Sequence, residues 1–177
     1  MVTIAWMTVE SVLGIGTGVV AHSVLLIAFG LDSVVELLSG IVVLRSLQGR
    51  GSAPMTSRIS AFLLVALCAY VVISSAAGLA LRVMPEVSPL GIAVCAIAVV
   101  AMPVLAQAKR RVNVVLASPS LRADIAESVG CAYLAATSLA GMVVSTTTGW
   151  WWAQYIAALC LLVWLVPEVR EAFHGGE

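Results

Sequence analysis

The chain has 177 residues, of which 62% are hydrophobic and only 10% charged, with no formal net charge. A soluble domain of this size carries about 25% charged residues, so most of this chain is expected to meet lipid rather than water. No basic stretch is long or aromatic enough for nucleic-acid binding, and Cys68, Cys95, Cys131 and Cys160 show neither CxxC spacing nor a disulfide framework.

Six apolar runs reach the length of about 17 to 25 residues that a bilayer crossing needs. The first covers residues 3–21, with no basic stretch before it that would mark a cleaved signal peptide. Gly14 and Gly18 form a small-xxx-small pair on it, which lets a neighbouring helix approach closely. A tight turn at His22, read as a solvated turn residue, leads into the second run, 23–44. The third covers 59–81, and Pro85, Glu86 and Pro89 mark a short loop after it. The fourth covers 89–107 and should kink at Pro103. Ser118 and Pro119 look like the N-cap and first helical position of the fifth, 119–144. The sixth covers 150–166 and opens on Trp150, Trp151 and Trp152, placed as an outer aromatic belt.

Without alternating strands, helices are the way such runs satisfy their backbone in lipid. Arg45, Arg50, Arg58, Lys109, Arg110, Arg111, Arg122 and Arg170 fall on one side of these spans and Arg82 alone on the other. That asymmetry puts both termini in the cytoplasm. The expectation is therefore all-α: one integral membrane domain over residues 1–177, a six-transmembrane-helix bundle with cytoplasmic N- and C-termini and no separate cytoplasmic domain.

The informative residues are acids inside the runs: Glu10 in the first, Asp32 and Glu36 in the second, Asp124 and Glu127 in the fifth. Read by span, no Lys or Arg lies deep enough to pair with them. An ionised acid at mid-bilayer costs at least about 2.5 kcal/mol, so such acids must be protonated or hold a cation. Asp32 and Glu36 are four apart and share a helix face, and Glu127 and Cys131 repeat that spacing. At the usual rise, Asp32 lies roughly 13 Å and Cys131 roughly 18 Å from opposite ends of their helices, so the two pairs can meet near the midplane. Four side chains suit a tetrahedral ion. A thiolate among carboxylates favours zinc or cadmium over magnesium or calcium, and the same carboxylates can take protons when metal leaves.

Plainer readings stand beside these. Asp32, Glu36 and Glu127 can be structural hydrogen-bonders, and Cys131 can be core packing. Asp124 is either a helix N-terminal acid balanced by Arg122 or Arg58, or an accessory at the mouth of the site. Glu10 is either interfacial or a second accessory.

The stretch from Phe29 to Gly40 (FGLDSVVELLSG) resembles the second-helix motif of the cation diffusion facilitator family, with Asp32 and Glu36 on its metal-binding positions. The stretch from Leu121 to Cys131 (LRADIAESVGC) resembles the fifth-helix motif, with Glu127 and Cys131 in place of the usual His and Asp. The likeness extends to compact bacterial members without the C-terminal cytoplasmic domain, which share the FGLDS stretch, the fifth-helix cysteine and the GWWW run; Asp is expected there where this chain has Gln154. It implies a homodimeric multi-pass protein of the bacterial inner membrane that exports a divalent cation, zinc first among them, in exchange for protons. From another class comes a non-transporting metal-binding scaffold or sensor on the same fold. No nucleophile–base pair, phosphate loop or HExxH motif points to an enzyme.

Overall fold

A computed structural model describes residues 2–47, 53–117 and 119–174. They form six helices: α1 (Val2–Val20), α2 (Val24–Leu47), α3 (Ala53–Ala80), α4 (Pro89–Leu116), α5 (Pro119–Thr148) and α6 (Ala153–His174). No strand occurs among the described residues. Ser118, expected as the α5 cap, lies outside them, as do the side chains of Arg45, Arg50 and Arg58.

Helix α2 is the hub, packing on α1, α3, α5 and α6, while α4 pairs with α5 and α1, and α3 with α6. The α1–α2 seam is as tight as its glycines allow. A Cβ at Gly14 would stand 2.9 Å from Gly30 Cα, one at Gly18 would stand 2.7 Å from Ile27 N, and one at Gly30 would stand 2.6 Å from Ile15 N. The small-xxx-small reading of α1 is thus met by a glycine on α2. His22 makes the turn between them with φ 50° and is exposed. Ser23 follows it, fully buried, and its Oγ accepts from Leu26 N–H at 3.4 Å to cap α2. The loop after α3 is tied back to this turn by Glu86 N–H donating to Ala21 O at 2.8 Å.

Helix α4 starts at Pro89 behind an N-cap Ser88, whose Oγ accepts from Gly91 N–H at 3.1 Å. It carries Pro103 inside it and continues to Leu116, well beyond residue 107. Its end is an αL residue, Ala117, whose N–H donates to Asn113 O at 2.8 Å. That extension puts Lys109 inside a helix instead of in a loop.

Burial is inverted relative to a water-soluble protein. Glu10, Ser33, Glu36, Ser75, Asp124, Ser128, Ser138 and Gln154 are buried, while Phe62, Ile73, Val100, Val104 and Val163 face outward. Four helices are long and apolar enough to cross a membrane, and shorter apolar helices cover Ile4–Val20 and Ala153–Pro167.

Candidate functional site

The buried polar residues gather where α2, α4 and α5 meet. Glu36 on α2 is 3% exposed and Asp124 on α5 is 5% exposed. Between them comes Lys109 from α4. Its Nζ lies 2.9 Å from Asp124 Oδ2 and 3.7 Å from Glu36 Oε1, and donates to Ser128 Oγ at 2.7 Å. The Ser128 hydroxyl, fully buried, lies 2.6 Å from Glu36 Oε1 and 3.1 Å from the Asp124 carbonyl. A hydroxyl has one proton to give, and the shorter contact goes to the carboxylate. Lys109, Ser128 and Glu36 are therefore linked in series.

This corrects two expectations. An ammonium does reach the acids, because α4 does not stop at Gln107. Asp124 is balanced by that ammonium and not by Arg122, which is exposed. A lysine suits the place: a long apolar stem can run along apolar surface while the head finds charge, and its side chain is 11% exposed.

One turn deeper on α5, Cys131 is buried, with its thiol within electrostatic range of Glu36. Asp32, 7% exposed, lies within electrostatic range of the same sulfur. Glu127 sits half-buried on α5. Glu36 and Asp32 on α2 thus lie near Cys131 on α5, and Glu127 lies one turn before Cys131. Among the described residues, no three His, Cys, Asp or Glu side chains are drawn tightly enough together to enclose a metal ion as they stand.

Glu10 is buried inside the bundle. It lies midway along α1 with no exposed surface, within electrostatic range of Glu36, Cys95 and Cys131. Trp6, one turn earlier, turns its indole toward it without reaching hydrogen-bonding geometry, and both carboxylate oxygens lack a hydrogen-bond partner. Glu36 Oε2 and Asp124 Oδ1 are also buried without one. Each of these two carboxylates has one oxygen engaged and one open.

A second polar cluster lies at the opposite end of the bundle. Ser23 Oγ donates to Gln154 Oε1 at 2.9 Å, and Gln154 Nε2 donates to Ser145 Oγ at 3.5 Å, joining α2, α5 and α6. Gln154, 2% exposed, serves there as an interhelical tie. Nearby, Tyr155 OH donates to Val83 O at 2.8 Å. Trp150 and Trp152 stack at 5.1 Å on the surface of this end.

Sequence reasoning missed Lys109 and Ser128. Ser128 was legible, being four residues after Asp124 and hence on its face. Lys109 had a compositional signal, as the sole lysine in a chain that otherwise uses arginine.

Long apolar helices, apolar outer surfaces and an ion-paired polar interior together point to a membrane protein. No family model matches the chain, and no curated protein matches it either.

Proposed function

We propose that the protein is a multi-pass transporter that moves a divalent metal cation, zinc first among candidates, across a membrane in exchange for protons. One observation carries the reading: Glu36 and Asp124, buried between apolar helices, each present an oxygen with no hydrogen-bond partner, beside Asp32 and a thiol, Cys131. Open buried carboxylate oxygens call for a cation or a proton. The acids that took part in the family resemblance, Asp32, Glu36 and Glu127, would supply oxygen ligands and Cys131 a sulfur, with Asp124 and Glu10 as accessories. A relative motion of α2 against α5 would draw these groups together around the ion and open the site to each side in turn.

The reading includes six crossings with both termini in the cytoplasm, of which four helices are long and apolar enough on their own among the described residues. The shortest of the six, α1 with 19 residues, extends to about 28 Å at the usual rise, close to the core thickness of about 30 Å. The bacterial inner membrane, and a homodimer joined within it, belong to the same reading. In reconstituted vesicles, an imposed pH gradient should drive zinc accumulation, and Asp32→Ala should abolish it. Undiminished uptake by that variant would sink the proposal.

The Lys109 ion pairs favour a second reading, in which the cation demanded by the acids is already supplied and the protein binds metal or a partner without moving it. Calorimetry that detects zinc binding alongside vesicles that show no flux would select it.

A further inference from the structure

Lys109 occupies the space where a cation attracted to Glu36 and Asp124 would arrive. Its ammonium makes one short ion pair, one hydrogen bond to Ser128 and one longer contact with Glu36. It leaves Glu36 Oε2 and Asp124 Oδ1 unused, both buried. The ammonium therefore offsets part of the cluster's negative charge without exhausting its ligands. Two features make it displaceable. Its side chain is 11% exposed and its stem is long and flexible, so it can rearrange without unpacking a helix. It is also the sole lysine of the chain, flanked by exposed Arg110 and Arg111. An arginine here would grip a carboxylate through two parallel hydrogen bonds, whereas a lysine is a mobile point charge.

We propose that Lys109 is the resident cation of the empty site, and that a divalent ion binds at Glu36 only by displacing it. This rests on the metal-transport reading above. An ammonium and a divalent ion within about 4 Å of one carboxylate repel strongly in a low-dielectric interior. The two are alternative occupants. Lys109 holds α4 to α5 directly and to α2 through Ser128, so its departure unties α4 from α2 as metal arrives. The ammonium offsets one of the two carboxylate charges of Glu36 and Asp124, and a divalent ion would offset both.

The sole lysine makes the test site-specific. Purified full-length protein in lipid nanodiscs is treated with a water-soluble amine-acetylating reagent, with and without zinc sulfate, and acetylation of Lys109 is followed by peptide mass spectrometry. Zinc binding is measured in parallel by calorimetry. Zinc should raise the rate of Lys109 acetylation at least fivefold, with the midpoint at the calorimetric Kd. Zinc binding with an unchanged acetylation rate overturns the inference and leaves the transport reading standing. Absence of zinc binding removes both. As a second measurement, Lys109→Gln should bind zinc at least tenfold more tightly than the wild type, and Lys109→Arg should not. Equal or weaker binding by a folded Lys109→Gln also overturns it. If that variant does not fold, the acetylation result on the wild-type protein decides.

Discussion

Replacing Ser128 with alanine removes the middle of the Lys109–Ser128–Glu36 chain while leaving both charges in place. The hydroxyl accepts from Lys109 at 2.7 Å and donates to Glu36 at 2.6 Å. In a water-soluble protein each hydrogen bond to a charged group contributes about 1.5 to 3 kcal/mol. Within membrane bundles, double-mutant cycles give polar contacts about 0.6 kcal/mol on average and about 1.7 at most. The membrane figures should govern here, since Lys109 keeps its 2.9 Å pair with Asp124 and can close its 3.7 Å gap to Glu36. The expected loss is therefore about 1 to 2 kcal/mol. Reversible unfolding in mixed micelles measures it, and a double-mutant cycle with Glu36→Leu, which removes the acceptor, isolates the shared bond. Coupling of about 1 kcal/mol is expected. Coupling below about 0.3 kcal/mol, the range of independent sites, would refute the serial arrangement.

Three further outcomes follow from the packing and the site. Gly30→Ala brings a Cβ to 2.6 Å from Ile15 N, a backbone atom that cannot rotate away, so α1 and α2 must part and stability should fall by about 1 to 3 kcal/mol. Gly16→Ala meets nothing within 4 Å and should be neutral or slightly stabilising in the same melt; equal losses in the two would contradict the tight seam. Gln154→Leu strips the partner from buried Ser23 and loosens three helices, and thermal unfolding should report about 1 to 3 kcal/mol lost. Cys131→Ser should weaken cadmium binding more than manganese binding if the thiol is a ligand; equal losses for both ions in a titration would assign Cys131 to packing alone.

The helical architecture was legible because lipid imposes a single requirement, long apolar runs with internally paired backbones, and each of the six runs overlaps one helix. Gly14 announced a close approach, and Gly30 answers it. What hydropathy could not reveal was where α4 ends. The run loses its apolar character after residue 107, but the helix has no reason to stop there: Lys109, Arg110 and Arg111 are good helix formers, and no glycine or proline intervenes before the left-handed Ala117. Reading the end of hydrophobicity as the end of the helix moved Lys109 from the bundle into a loop.

That displacement changed the electrostatic account of the whole interior. Glu36 and Asp124 look unpaired when each run is considered alone, because their cation belongs to the end of another helix, α4. Asp124 and Glu36 need Lys109 to be affordable in the empty bundle, yet the open oxygens they retain are more than a structural pair requires. Glu10 is a different case, since it lies deeper on α1 and its two oxygens have no hydrogen-bond partner. An interior designed only for stability would do as well with apolar side chains at such positions. The Lys109 side chain from α4, the spare carboxylate oxygens of Glu36 and Asp124 and the thiol one turn further along α5 follow one another between α2, α4 and α5, with exposure falling from 11% at Lys109 to 3% at Glu36 and 1% at Cys131. A cation entering along that line would meet progressively less water and a softer donor, which is the order in which a transport site sheds hydration and gains selectivity.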